Sequence, residues 1–171
     1  MSVEKVVCDF LSTCLQWRNV DDVVMGGLSR SAMQPLPDGS ALFSGVLSLE
    51  RNGGFASVRS VFDSPQDYSR SDRFRLRVKG DGKRYSFRVR NDDRFDGIVY
   101  AAGFDTVAGE WMEIDLPFPE FRPIFRGSIV AGAPPMDPGN VAQIGLLISS
   151  KQEGPFRLQL AWIRAEGEAD Q

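Results

Sequence analysis

The sequence predicts an all-β sandwich of jelly-roll type, a single domain with little helix, and three observations carry that expectation. Apolar and polar residues alternate in short runs from about residue 40 to the end, the period of half-buried strands. Seventeen Gly and ten Pro are spread along the 171 residues rather than clustered, so turns punctuate the whole chain. No helical stretches interleave with the runs, which argues for packed antiparallel sheets over an α/β arrangement. The length suits one domain, and 42% hydrophobic content is enough to fill its core.

Residues Val6–Gln16 form the one helix candidate of useful length, and their pattern reads equally well as strand. Ala41–Leu49 alternates as a strand, with Gly45 a candidate bulge. Asn52-Gly53-Gly54 is a turn signal and Phe55–Val61 the return, so the pair reads as a hairpin. In the next unit Phe74, Leu76 and Val78 alternate with Arg73, Arg75, Arg77 and Lys79. Gly80-Asp81-Gly82 turns the chain, and Tyr85, Phe87 and Val89 alternate with Arg84, Ser86, Arg88 and Arg90. This is read as a second hairpin. Further strands are expected at Ile98–Phe104, Trp111–Leu116, Val141–Ser149 and Phe156–Ala165. Between Pro117 and Gly139 six prolines oppose regular structure, and Phe118, Phe121 and Phe125 are expected to pin the loop to the core. Glu166–Gln171 reads as a frayed polar tail.

Composition excludes more chemistry than it offers. With no histidine, Ser-His-Asp and Cys-His nucleophiles, histidine bases and histidine metal ligands are all absent. Only Lys5, Lys79, Lys83 and Lys151 could act as amine nucleophiles, and none sits in a catalytic motif. Cys8 and Cys14 lack further soft ligands nearby and read as free thiols of a reducing compartment. The first ten residues carry Glu4 and Asp9 and do not form a signal peptide, and no run is long enough to span a bilayer. A cytoplasmic protein without metal or cofactor is expected. The net charge of −3 argues against general nucleic-acid or membrane-surface binding.

The charge is unevenly placed. Residues 70–94 hold ten of the 20 Lys and Arg but four of the 23 Asp and Glu, a local +6 against −9 elsewhere. If the two strands of this unit pair side by side, Arg73, Arg75, Arg77 and Lys79 join Arg84, Arg88 and Arg90 on one arginine-rich face. Like charges so placed destabilise a sheet unless acids or an anionic partner offset them. The internal candidates are Asp63, Asp67, Glu113 and Asp115. Arginine suits bidentate contact with carboxylate or phosphate. RNA across these rows is disfavoured because no aromatic residues interleave with them. Asp92, Asp93 and Asp96, or Glu113 with Asp115, could in principle form a glycosidase pair, but surface placement is the simpler expectation. The loop Trp17–Ser31 sets Asp21 and Asp22 before Gly26-Gly27. Two carboxylates are too few for calcium, so a structural turn is expected there.

The run Val20-Asp21-Asp22-Val23-Val24-Met25-Gly26-Gly27-Leu28-Ser29 resembles the signature of the complex I intermediate-associated protein 30 family. The same order continues with Phe43-Ser44-Gly45, Asn52-Gly53-Gly54-Phe55-Ala56-Ser57-Val58-Arg59 and Leu76-Arg77-Val78-Lys79-Gly80-Asp81-Gly82. Trp111, Leu116-Pro117-Phe118, Phe121, Arg126-Gly127, Ile144-Gly145-Leu146 and Gly154-Pro155-Phe156 complete it. The resemblance implies a galactose-binding-like β-sandwich over residues 17–165, with 1–16 a segment packed on it and 166–171 a tail. It implies no catalytic set. It implies a role in assembling a membrane-bound electron-transport complex, respiratory complex I or a photosystem, through a protein subunit or intermediate as partner. Asp22, Met25, Gly26, Gly27, Asn52, Gly53, Gly54, Phe55 and Arg59 would form the family's shared loops or surface. A bacterial or plastid-lineage stand-alone member is the expectation. The expected docking face is the arginine unit, with Arg59 beside it. A carbohydrate-binding module is the alternative, to be favoured if two of Trp17, Trp111 and Trp162 lie exposed and coplanar.

Overall fold

The structure, a computed structural model, describes residues 2–9, 17–20, 30–48, 54–94, 96–149 and 152–168. Thirteen strands lie among them: β1 Ser2–Cys8, β2 Arg18–Asn19, β3 Arg30–Pro35, β4 Ala41–Leu47, β5 Ala56–Gln66, β6 Arg73–Lys79 and β7 Arg84–Arg90. They continue with β8 Val99–Asp105, β9 Trp111–Pro117, β10 Arg122–Phe125, β11 Ser128–Ile129, β12 Val141–Ile148 and β13 Gly154–Glu168. They form two antiparallel sheets, one ordered β3-β4-β13-β6-β9 with β1 added beside β13, the other β11-β10-β8-β7-β12-β5-β2. The fold is the all-β sandwich that the alternation predicts, with one 3₁₀ turn, Phe118–Glu120, among the described residues.

Both expected hairpins are corrected. β4 pairs with β3 and β13, whereas β5 pairs with β12 and β2. Likewise β6 pairs with β9 and β13, and β7 with β8 and β12. In each case successive strands face each other across the core instead of lying side by side. A period of two fixes which side chains point inward, and it reads the same in both arrangements. The link after β6 shows why this turn is a crossing. Its polar groups are satisfied from both sheets: Asp81 accepts from Lys83 N, Tyr85 Oη and Arg157 N, and Thr106 Oγ1 accepts from Gly82 N and donates to Lys83 O. Gly80 sits so close to Thr106 that a Cβ would meet that side chain at 2.4 Å.

The tail also differs from expectation. β13 runs to Glu168 because β1 pairs with its far half, Ser2 opposite Glu168 and Glu4 opposite Glu166. Glu166 is 8% exposed. A register shift between Leu160 and Trp162 lets one long strand serve β4 first and β1 afterwards. The N-terminal segment is thus in part a strand of the sheet: residues 6–8 of the helix candidate belong to β1, and residues 10–16 lie outside the described residues. In the Pro-rich stretch, β10 and β11 form a small hairpin closed by Arg126 and Gly127, both at positive φ (50° and 82°), the geometry of a tight two-residue turn. Phe121 and Phe118 pack against the core as expected, while Phe125 is 39% exposed.

Phe43, Phe74, Leu76, Tyr85, Phe87, Ile144, Leu146, Leu158 and Ile163 fill the space between the sheets. All three tyrosines, Tyr68, Tyr85 and Tyr100, are buried, and burial pushes each phenol above its usual value. Cys8 adds to this at Tyr68, and Asp81 adds to it at Tyr85. The folded chain therefore holds phenolic protons that the unfolded chain releases near pH 10. Stability is undiminished below that pH and falls as pH rises through it. Titration followed at 295 nm should show tyrosinate appearing together with the loss of circular dichroism. A smooth rise near pH 10 with the fold intact would contradict this burial.

Candidate functional site

Placing β6 and β7 in opposite sheets splits the expected arginine face in two. Their apolar residues meet in the core, so Arg73, Arg75, Arg77 and Lys79 lie on the outer surface of the six-stranded sheet. Arg84, Ser86, Arg88 and Arg90 lie on the outer surface of the seven-stranded sheet.

The first row is neutralised by its own sheet. Arg75 Nε lies 2.9 Å from Asp115, and its Nη1 lies 3.4 Å from Glu166 and 3.9 Å from Glu113. Arg73 reaches Asp72, Asp115 and Glu166 at 2.8, 3.4 and 3.5 Å, and Arg77 reaches Glu113 at 3.3 Å. The hydrogen bonds that Arg75 donates to Asp115 raise the pKa of its guanidinium. Of the four acids offered by the sequence, Glu113 and Asp115 carry this role. Asp67 instead accepts from Ser69 N, which with the Ser69 hydroxyl holds its carboxyl below the usual range. Glu113 and Asp115 are thereby engaged by arginines, not set as an acid–base pair. Trp111 lies beneath Arg77 and Lys79, 5.1 and 5.4 Å from ring to cation, and Trp162 lies beneath Arg164 at 3.8 Å. Trp17 packs half-buried against the core.

The second row is built differently. Antiparallel pairing places Arg18 opposite Arg59, Arg59 opposite Gly145, Gly145 opposite Arg88, Arg88 opposite Ala101, and Ala101 opposite Arg122. Residues directly opposite share a face, so four arginines form a line across β2, β5, β12, β7, β8 and β10. Glycine and alanine are the spacers. Neighbouring strands lie roughly 4.8 Å apart, so Arg59 and Arg88 flank Gly145 at about 10 Å, backbone to backbone. Between them lies a small, shallow recess bordered by Ser57, Arg59, Arg88, Arg90, Gln143 and Gly145. A side chain at position 145 would fill it, and its Cβ would meet Val58 O at 2.7 Å.

The loop after β7 closes one end. Gln143 Nε2 donates to Asp92 O and Arg94 O, and Arg90 Nη1 donates to Gly97 O. Arg88 Nε donates to Ser86 Oγ at 3.4 Å. Among the described residues no carboxylate lies within ion-pair distance of Arg88 or Arg90. Burial, aided by Arg90 and Arg59, lowers the Arg88 pKa to about 10. Burial with Arg90 and Arg18 lowers Arg59 to about 10 as well. Arg84 stands apart, paired with Asp105 at 3.1 Å. The register positions beside the cationic line carry Val61 (44% exposed), Gln143, Arg90, the buried Val99, Ile124 and Ile129 (72% exposed). No aromatic residue occupies the register positions of either line among the described residues.

Sequence reasoning found Arg59, Arg88 and Arg90 but not Arg18, Arg122, Gln143 or the spacer role of Gly145. Only the register brings those together. Of the motif loops, Gly54, at φ 137°, and the half-buried Phe55 lead into β5. Asp22, Met25, Gly26, Gly27, Asn52 and Gly53 lie outside the described residues. No helix among the described residues is long and apolar enough to cross a membrane.

Comparison with known proteins agrees with the architecture. The family 11 carbohydrate-binding module of a Clostridium thermocellum cellulosomal cellulase superposes with a TM-score of 0.71 at 17% identity, covering 99% of this chain and 97% of that one. The same module in complex with a β-1,3-1,4-mixed-linked tetrasaccharide gives 0.70 at 17%, with 98% of each chain covered. At such identity the likeness shows a shared jelly-roll fold. The mitochondrial complex I intermediate-associated protein 30 of Mus musculus is 28% identical over 167 residues, 86% of this chain and 51% of that protein. An uncharacterized protein of Schizosaccharomyces pombe is 30% identical, over 87% of this chain and 77% of its own length. The chain thus spans about half of the mouse relative. Residues 8–160 match the complex I intermediate-associated protein 30 family, and the chain belongs to it.

Proposed function

We propose that this chain is a non-enzymatic assembly adaptor. It holds a protein subunit or intermediate of a membrane-bound electron-transport complex through the outer face of the seven-stranded sheet. Family membership supports the class of role. The observation that carries the docking face is a contrast within one molecule: Arg73, Arg75 and Arg77 are ion-paired, whereas among the described residues no carboxylate lies within ion-pair distance of Arg88 or Arg90. Desolvated like charges cost stability, and a partner that supplies acids offsets that cost. A place beside the membrane follows from the partner and needs no span in this chain.

The carbohydrate-binding reading rests on the fold neighbours, one of them with a bound tetrasaccharide. Sugar rings are usually held by stacking on aromatic faces. Trp111 and Trp162 lie under cations on the other sheet, and Trp17 packs on the core.

The test is affinity capture from the native host at low ionic strength, with two charge-reversed proteins of verified fold. Wild type and Arg77→Glu should retain subunits of one electron-transport complex. Arg59→Glu/Arg88→Glu/Arg90→Glu should lose them. Equal retention by all three would remove the docking face. Capture of glycans in place of complex subunits would replace the adaptor reading with the carbohydrate one.

A further inference from the structure

We propose that the β10–β11 hairpin is a membrane-contact element, whose tip seats in the headgroup region of an anionic lipid bilayer. The hairpin is the edge of the seven-stranded sheet: β11 pairs only with β10, and β10 pairs with β8 only as far as Ile124 opposite Val99. Phe125 and the turn after it therefore run past the end of β8. Two large apolar side chains are open here, Ile129 at 72% and Phe125 at 39% exposure. The other exposed large hydrophobics among the described residues, Val6, Val46, Val61 and Val107, stand singly elsewhere, which is ordinary for a protein surface.

The charge around the tip suits an anionic surface. Residues 121–136 contain Arg122 and Arg126 and no Asp or Glu, in a chain that has 23 acids. Both arginines are exposed. Arg126 lies 5.1 Å from the centre of the Phe125 ring and 2.7 Å from Asp96, with its side chain 71% exposed and that of Asp96 50%. So open an ion pair is weak in water, and Arg126 can exchange it for a lipid phosphate at little cost. A ring and a guanidinium held together match the boundary between acyl chains and phosphates, where aromatic side chains and snorkelling arginines gather.

The backbone points the same way. Arg126 is the one non-glycine residue at positive φ among the described residues. Asn, Asp or Gly takes that turn position with less strain, so turn stability does not account for an arginine at the tip. The base of the hairpin is fixed: Phe121 and Met136 are buried, Val130 N donates to Pro123 O at 3.0 Å, and Tyr100 Oη donates to Pro134 O at 2.8 Å. The tip is thus preorganised for docking. Size favours a bilayer over a protein partner. Two side chains at these exposures offer on the order of 200 Å², well short of the roughly 800 Å² that each side of a stable protein interface buries. A bilayer needs no matching surface: it takes up a small apolar tip, and its phosphates add attraction to nearby arginines. This inference goes beyond the adaptor reading and does not rest on it.

The purified chain is sedimented with vesicles of phosphatidylcholine and phosphatidylglycerol in equal amounts, and with vesicles of phosphatidylcholine alone. The anionic vesicles should carry the chain down, and less of it as salt rises. Phe125→Ser/Ile129→Ser should weaken this at least about tenfold, because binding follows the apolar area inserted. Arg122→Gln should weaken it about fivefold, and Ile129→Trp should tighten it. Val46→Ser, on the six-stranded sheet and 49% exposed, should change nothing. All these side chains are exposed, so each variant should keep the wild-type thermal midpoint, which separates lost contact from lost fold. Failure of the wild type to bind anionic vesicles, equal binding by the double serine variant, or an equal loss in Val46→Ser would overturn the proposal. A double serine variant that binds vesicles like wild type yet releases complex subunits would make the tip a protein contact instead. If vesicle binding behaves as described while no complex subunit is ever captured, the membrane contact stands and the adaptor role is wrong.

Discussion

Phe74→Ala is expected to lower stability by about 3–5 kcal/mol, the cost of emptying a fully buried aromatic site. Its ring is 0% exposed and lies 5.4 Å from Phe87 of the opposite sheet, 5.5 Å from Tyr68, and 5.0 and 5.8 Å from Phe118 and Phe121. One side chain therefore joins both sheets to the 3₁₀ turn and to the segment after β5. Aromatic pairs of this kind add to plain burial, and four rings cannot all collapse into one void. Urea unfolding should show the midpoint falling with little change in slope. A loss below about 1 kcal/mol would mean that the two sheets are not clamped at this point.

Arg75→Glu is the second large effect, expected at about 2 kcal/mol. The substitution removes a guanidinium shared by Asp115, Glu166 and Glu113 and adds a fourth carboxylate among them. Asp115 and Glu113 are close to half exposed, so their share is screened and small. Glu166, at 11% side-chain exposure, is the costly one to strand. Arg73 remains to Glu166 at 3.5 Å, which keeps the loss below that of an isolated buried pair. Thermal unfolding at low and high salt checks this, and the defect should shrink as salt screens the added repulsion.

The strand alternation in Arg73–Arg90 was legible in the sequence down to single residues, whereas Glu113 and Asp115 were only two of four acids offered against a docking face that included Arg73, Arg75 and Arg77. The sheet to which each strand belongs was not legible. Phe74 and Phe87 face inward whether β6 and β7 lie side by side or across the core, so the two arginine rows could be drawn as one face or two. The crossing is decided by contacts distant in sequence, such as Asp81 with Arg157 N and Gly80 against Thr106. For the same reason Arg18 and Arg122 carried no signal of their own. They join Arg59 and Arg88 only through the register of six strands. Gly145 stood out within a family motif, but its role as a gap between two guanidiniums exists only in the assembled sheet. Glu166 looked like part of a polar tail because its partners, Arg73 and Arg75, come from a strand more than ninety residues earlier.

The central claim is that Arg75 is satisfied by carboxylates of its own sheet, whereas Arg88, with no carboxylate in ion-pair distance among the described residues, is available to an acidic partner. The most direct measurement compares the thermal midpoints of Arg75→Gln and Arg88→Gln with wild type at low ionic strength, with no ligand present. The account predicts opposite signs: Arg75→Gln lowers the midpoint because three carboxylates lose a shared cation, and Arg88→Gln raises it because a desolvated repulsion is removed. A fall in both would contradict it, since Arg88 would then be a structural arginine like Arg75.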